Sequence, residues 1–345
     1  MTDDTILVWG AGAIGGTVGA HLRRAGLPVL FVDRSADHVA AMKQSGLQIT
    51  GPIEEFKISA PASLPENVSG RYKLALLCVK AHDTGEAINT LAPFVADDGC
   101  VVSLQNGLNE QVIAGRIGER RTVGAFVNFG ADYLSPGVVT YAGHGAVVVG
   151  ELDGKVTPRI QEIHRLLQIF DKKAVLTPNI WGFLWSKLAY GALLFATALT
   201  NESIADCLAE TKYRPVLIAL AREVVTIATA AKIELEPFDG FDPRAFLPDS
   251  GPAAAASLDA LVAHNRRSAK SHSGIWRDLA VRKRKTEVEA QLGPISVTAE
   301  KLGLKAPLTR RTADLIHDIE DGRRRLSWNT LAELAKALPK KPAIS

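Results

Sequence analysis

The sequence is short of the residues that mark several common functions. Three cysteines occur in 345 residues (Cys78, Cys100 and Cys207), none in CxxC spacing, so neither a disulfide scaffold nor a thiolate zinc site is expected. No His/Asp/Glu grouping has metal-ligand spacing, and no metal is expected. The longest apolar stretch, residues 188–199, is too short to cross a bilayer, and the opening MTDD lacks the basic region of a signal peptide. These absences lead to the expectation of a soluble, cytoplasmic protein without a membrane partner. Neither charge sign dominates: 40 Lys and Arg stand against 37 Asp and Glu, a net +3, which excludes a globally basic nucleic-acid coat. Internal repeats and low-complexity tracts are missing as well.

What is present is a globular balance of 47% hydrophobic and 22% charged residues, in a chain long enough for two domains. The first half alternates strands and helices: strands at 6–9, 29–32, 74–79 and 100–104, and helices at 17–25, 37–45 and 84–95. Strand and helix in alternation imply an α/β domain, a parallel sheet with helices on its faces. Short Val- and Gly-rich strands between 122 and 150 read as a meander appended to that sheet. Beyond Pro178 helical periodicity takes over, at 181–200, 214–232, 257–292 and 294–301, with Pro237, Pro243, Pro248 and Pro252 marking one extended connection. The expected division is a dinucleotide-binding domain at 1–178, a helical substrate and dimerisation domain at 179–336, and a frayed tail at 337–345.

Gly10-Ala-Gly12-Ala13-Ile14-Gly15 directly follows the first strand and opens a helix. The first glycine permits the tight turn, the second lets the backbone approach a pyrophosphate, and the third lets helix lie on strand. The helix N-terminus offers N–H groups and a positive dipole end to phosphates. Asp33, closing the second strand, faces the adenosine ribose in such a turn and favours NAD by bonding the 2′-hydroxyl. Arg34 beside it could instead hold the 2′-phosphate of NADP, or simply face solvent. The cofactor is therefore NAD or NADP, with a lean to NAD. Gly15-Gly16 lacks the lysine of a P-loop.

With its second half included, the chain resembles the ketopantoate reductase (2-dehydropantoate 2-reductase) family. The resemblance is carried by GAGAIGG at 10–16, Val79-Lys80, Gln105-Asn106-Gly107, Leu184-Trp-Ser-Lys187-Leu, the TEVEAQLG run at 286–293 and Gly303-Leu-Lys-Ala-Pro307. It implies a Rossmann domain, an all-helical C-terminal domain, a substrate cleft between them, and hydride transfer between nicotinamide and a 2-oxo or 2-hydroxy acid. In that resemblance Lys187 takes the place of the catalytic lysine and Asn106 that of the asparagine near nicotinamide and substrate. Glu287 matches a supporting glutamate, and Lys80 a lysine that assists cofactor binding. The chemistry suits a lysine, because reducing a ketone builds negative charge on oxygen that an ammonium stabilises and then neutralises with a proton.

The chain departs from the family where the substrate would be held. Four and eight residues after the lysine the family commonly has asparagines, and here stand Gly191 and Phe195. The face around Lys187 is therefore expected to be roomier and more apolar than a pantoate site. Ser273 matches a substrate serine only loosely, since the spacing from Asp278 to Glu287 is one residue longer than in the family. The basic segment 264–285 offers Lys270 or Arg277 as a clamp for a substrate carboxylate; a solvated helix face is the plainer reading for most of its charges. The leading expectation is an NAD(P)-dependent oxidoreductase of small 2-oxo or 2-hydroxy acids, working as a homodimer with no nucleic-acid partner. NADPH-dependent ketopantoate reduction in pantothenate synthesis is the alternative enzyme, and a non-catalytic NAD(P)-binding redox sensor the alternative class.

Overall fold

Apolar side chains at successive positions of 6–9, 29–32 and 74–77 leave these strands no polar face, the pattern of a sheet covered on both sides. In the computed structural model, which describes residues 2–267 and 271–338, alternate residues of the strands feed two cores. Ile6, Val8, Val29, Phe31, Leu76 and Val102 join one, and Leu7, Trp9, Val32, Ala75, Leu77 and Val101 the other. Each valine, leucine, isoleucine or phenylalanine among them, fully buried, contributes about 1.5–3 kcal/mol of transfer free energy. The chain divides into two compact units, Met1–Ile180 and Trp181–Ser345.

The first unit begins with strands β1 (Thr2–Asp3) and β2 (Ile6–Trp9), helix α1 (Ala13–Arg24), β3 (Val29–Val32) and α2 (Ala36–Ser45). Short strands β4 (Leu47–Thr50), β5 (Phe56–Ile58) and β6 (Ala62–Ser63) lead to β7 (Arg71–Leu77), α3 (Thr84–Leu91), β8 (Val95–Ser103) and α4 (Asn109–Ile117). Then come β9 (Thr122–Val127), β10 (Gly130–Ser135), β11 (Val138–Gly143), β12 (Val147–Glu151), α5 (Pro158–Phe170) and β13 (Val175–Leu176). The main sheet runs β13-β12-β9-β8-β7-β2-β3-β6, with β1 beside β7; it is parallel except between β9 and β12. A second sheet, β10-β11-β4-β5, stands apart from it. The expected appended meander is thus divided: β9 and β12 extend the main sheet, whereas the β10–β11 hairpin pairs with β4, some ninety residues earlier. Helix α1 starts at Ala13, not at residue 17, because Gly15, Gly16 and Gly19 are helical here and buried against their neighbours.

The second unit comprises α6 (Ile180–Thr197, its first residue shared with the first unit), α7 (Ile204–Ala209), α8 (Arg214–Ala230), α9 (Ala253–Arg267), α10 (Gly274–Trp276), α11 (Val288–Lys301), α12 (Pro307–Glu320) and α13 (Trp328–Ala335). Helix α8 lies at the centre, against α7, α9, α11, α12 and α13, and buries Val216, Leu217, Leu220, Ala221, Val224, Val225 and Ile227. Its one acidic residue on that side, Glu223, accepts the Leu308 and Thr309 N–H groups at 3.0 and 2.7 Å and so caps α12 from a neighbouring helix. Burial pushes the Glu223 carboxyl up from its ordinary range, against those hydrogen bonds.

The single helix expected over 257–292 is broken. Helix α9 ends at Arg267, Arg277–Val281 form a π turn after α10, and 282–287 are not helical. Continuing the helix would set Arg282 beside Lys285, three residues on, on one face. Instead the segment folds back on buried Asp278, which accepts Arg282 Nη1 and Arg284 Nε, both at 3.0 Å. The π turn is closed by the Arg282 N–H on the Arg277 carbonyl at 2.8 Å. Helix α11 in turn runs through Pro294, where a boundary was expected. Of the expected tail, residues 339–345 lie outside the described residues, as does Lys270.

Candidate cofactor and substrate site

Every residue assigned to the cofactor from sequence lies where a parallel strand of the first unit ends. Gly10, with φ +98°, turns the chain after β2; a Cβ there would sit 2.7 Å from the Val79 nitrogen. A Cβ on Gly15 would lie 2.1 Å from the Gly10 carbonyl oxygen and 2.9 Å from Cys78 and Val8, so only glycine lets α1 rest on β2 and β7 this closely. Gly12 is different: among the described residues no heavy atom lies within 4 Å of its Cβ position. Its open side borders the first turn of α1, where Ala13 and Ile14 begin the helix. This open, glycine-lined helix start fits a dinucleotide pyrophosphate.

Asp33 stands at the end of β3, and its carboxylate accepts the Ala11 N–H at 3.0 Å and the Ser35 N–H at 2.9 Å. The other end of the Ala11 peptide is held by a residue the sequence did not single out. Buried His38 accepts the Gly137 N–H at Nδ1 (2.9 Å), so the proton sits on Nε2 and is donated to the Ala11 carbonyl at 2.9 Å. No sequence signal connects residues 38, 11 and 137; only the approach of the β10–β11 turn to α2 does. Arg34 points to Asp83, 3.3 Å away, in an ion pair whose arginine is 76% exposed and which therefore adds little stability.

Lys80 precedes a short 3-10 turn, Ala81–Asp83, after β7. A buried polar network ties this loop to the one after β8. Gln105 donates to the Val79 carbonyl at 2.9 Å and to the Thr84 hydroxyl at 2.8 Å, and that hydroxyl lies 2.9 Å from Asn109 Oδ1. Asn109 donates in turn to the Asn106 carbonyl at 2.6 Å. Gln105, Thr84 and Asn109 are all at most 5% exposed, so the backbone at Lys80 and Asn106 is fixed from below. Strand order then brings Gly10, Asp33, Lys80 and Asn106 to the carboxyl ends of β2, β3, β7 and β8, the edge where open parallel sheets bind ligands.

In the second unit, α6 is buried nearly all round, and its partly accessible stripe runs Phe183, Lys187, Tyr190 and Leu194. Ser186, wholly buried beside Lys187, donates to the Gly182 carbonyl (2.7 Å) and accepts the Glu236 N–H (3.1 Å). Tyr190, one turn on, packs against Phe238 and Phe241. Phe195 is not on this stripe and has no exposed surface. With 3.6 residues per turn, position 195 lies about 80° around the axis from 187, whereas position 194 lies about 20° from it. Gly191 is nearer, and a Cβ there would meet one atom within 4 Å, Gln291 Oε1 of α11, at 3.5 Å. Gln291 thus brings an amide oxygen beside position 191, one turn after Lys187.

Glu287 stands immediately before α11, with no capping bond from its side chain to the helix, and is 9% exposed. The preceding residue is anchored: Glu320 Oε1 accepts both the Thr286 N–H and its hydroxyl, each at 2.7 Å. Glu320 Oε2 lies 2.9 Å from His317 Nδ1, and His317 Nε2 lies 2.6 Å from Glu289. Burial opposes a charge on His317, but the bonds to Glu289 and Glu320 outweigh it and raise its pKa above the ordinary histidine range. A raised value means that the folded chain binds the proton more tightly than the unfolded one. The resulting stability is full below about pH 6.5, the unfolded histidine range, and is lost as pH rises through the folded value. We therefore expect the difference in melting temperature between wild type and His317→Gln to be largest near about pH 6 and to shrink towards about pH 9; a difference that grows with pH would contradict the assignment. Ser273 is buried, and its hydroxyl accepts the Trp276 N–H at 3.1 Å. Arg277 is half-buried, and its Nε is buried without a hydrogen-bond partner among the described residues.

Comparison with known proteins agrees across both units. The family model described as ketopantoate reductase PanE/ApbA matches residues 6–154, and its C-terminal counterpart residues 179–320. A 2-dehydropantoate 2-reductase of Archaeoglobus fulgidus is 29% identical over 325 residues, covering 93% of this chain and 100% of the relative. That of Pyrococcus horikoshii is 27% identical, covering 88% and 93%. Among solved structures, a D-mandelate dehydrogenase in complex with NADH superposes with a TM-score of 0.79 at 22% identity, covering 93% of this chain and 100% of that one. A PanE/ApbA family ketopantoate reductase from Ralstonia eutropha gives 0.78 at 24% identity over the same shares. A dimeric ketopantoate reductase from Staphylococcus aureus gives 0.70 at 17%, again over 93% and 100%.

Proposed function

The chain belongs to the ketopantoate reductase family, and from that premise we propose that it is an NAD(P)-dependent oxidoreductase reducing a small 2-oxo acid, with Lys187 as the acid. The observation that carries this reading is the glycine turn with its open Gly12 side, present in a chain that also keeps Lys187 on the accessible stripe of α6. Gly10, Gly12, Ala13, Ile14 and Gly15 would hold the pyrophosphate, Asp33 the ribose, and Lys80 and Asn106 the nicotinamide end. When bound, the reduced cofactor supplies the hydride. Lys187 holds a proton on Nζ beside the carbonyl oxygen, stabilises the negative charge that develops there and then donates that proton. Glu287, fixed through Thr286 and Glu320, supports the lysine, and Arg277 is assigned to the substrate carboxylate. In the reverse direction a neutral Lys187 takes the proton from the hydroxyl. Ketopantoate, named in the curated relatives, is the first substrate to test; monitoring NAD(P)H oxidation across a panel of 2-oxo acids tests the reading, and a chain that binds cofactor but turns over none of them would be a sensor instead. Assembly as a homodimer, proposed by analogy with the Staphylococcus neighbour, is checked by light scattering.

The cofactor we propose is NAD(H). Two carboxylates, Asp33 and Asp83, lie around the residue that could hold a 2′-phosphate, and Arg34 is already paired with one of them. Removing Asp33 as Asp33→Ala should relieve the repulsion and shift the kcat/KM ratio towards NADP(H) by about tenfold or more, the size of one charged hydrogen bond. A wild type that already prefers NADP(H) by a wide margin would overturn the assignment and give the site to Arg34.

A further inference from the structure

Gln291 was not among the residues expected at the site, yet it reaches the place where position 191 lacks a side chain. It stands on α11, one turn after Glu287, to whose carbonyl its own N–H bonds at 3.0 Å. Gly191 stands on α6, one turn after Lys187. Among the described residues, and setting aside α6's own backbone and the residues flanking Gly191, Gln291 Oε1 is the one heavy atom within 4 Å of the Gly191 Cβ position, so α6 and α11 leave a notch there with an amide at its rim. The Gln291 side chain is half-buried, and among the described residues its amide has no hydrogen-bond partner. That amide offers two donors and an acceptor to a group entering from the solvent side. Apart from Lys187, the accessible side chains of this α6 stripe, Phe183, Tyr190 and Leu194, are aromatic or aliphatic.

We infer that Gln291 is a specificity-determining residue, its amide bonding a hydroxyl or carbonyl on the side chain of the 2-oxo acid within one helical turn of Lys187. The amide that α6 lacks at Gly191 is thereby supplied from α11, and the glycine is what makes room for it. The inference rests on the reading of this chain as a 2-oxo acid reductase.

Two substrates that differ by one hydroxyl provide the test: ketopantoate and 3,3-dimethyl-2-oxobutanoate. Wild type should prefer the hydroxylated acid in kcat/KM by about tenfold to hundredfold, the range for one buried hydroxyl gaining or losing its partner. In Gln291→Leu, and in Gln291→Met as a second variant of similar length, that ratio should fall to within about threefold of one. Gly191→Asn combined with Gln291→Leu returns an amide to the notch from the other helix and should restore part of the preference, a rescue that a merely structural role would not give. Cofactor affinity, read by quenching of NAD(P)H fluorescence, should be the same in all four proteins. Unchanged discrimination in both Gln291 variants, or a wild type that does not discriminate, overturns the inference while leaving the reductase reading in place. A wild type inert towards every 2-oxo acid overturns both.

Discussion

Replacing Lys187 with alanine should lower kcat by about a hundredfold to ten-thousandfold, the usual contribution of a positioned general acid, while the affinity for NAD(P)H barely moves. The split follows from where the parts lie. The dinucleotide would be held by the strand ends of the first unit, whereas Lys187 stands on α6 of the second. Folding should tolerate the change, because Lys187 sits on the accessible stripe and not on the faces that bury Leu184, Trp185, Leu188 and Ala189. Lys187→Arg is the informative companion: it keeps the positive charge but holds its proton at any accessible pH, so it should bind substrate and still turn over slowly. Single-turnover rates at saturating cofactor separate these effects from product release. An alanine variant retaining more than half of the wild-type rate would remove Lys187 from the mechanism.

How much of this could be read from the sequence depended on whether the deciding contact was local. β2 and β3 were legible to the residue, since an uninterrupted apolar run ended by glycine or by Asp-Arg-Ser has few alternatives. The glycine turn was legible for the same reason. The second sheet was not, because β4 and β5 are short and the pair they form gains a third strand only when β11 arrives from far along the chain. The break in the 257–292 segment was hidden because its cause, Asp278 collecting Arg282 and Arg284, is a feature of the folded turn. On α6 the sequence led to Phe195 through counting in fours, an error of about 80° by the second turn. Gln291 and His38 act through side chains that reach another element, and no spacing along the chain announces such a meeting.

The two inner glycines of the turn should fail in different ways when each becomes alanine, and the difference is a direct test of the cofactor site. Gly12 has φ −71° and open space at its Cβ position, so Gly12→Ala should fold with nearly the wild-type melting temperature. Its methyl group would occupy the side from which a pyrophosphate approaches, and loss of one charge-assisted hydrogen bond to phosphate should weaken NAD(H) binding by about tenfold to hundredfold. Gly15→Ala meets a different obstacle. Its Cβ would fall 2.1 Å from the Gly10 carbonyl oxygen, and neither that backbone atom nor the flanking Cys78 and Val8 can step aside without lifting α1 from the sheet. Overpacking of this kind costs about 1–3 kcal/mol, and more where backbone must move. For Gly15→Ala we expect a melting temperature lower by several degrees together with weaker cofactor binding, since the helix end that faces the phosphates moves with the helix. Calorimetry and NADH fluorescence titration on the two variants separate the cases. Equal melting temperatures for both would mean that the fit of α1 against β2 and β7 is looser than the structure indicates, and undiminished NADH affinity in Gly12→Ala would move the pyrophosphate away from this turn.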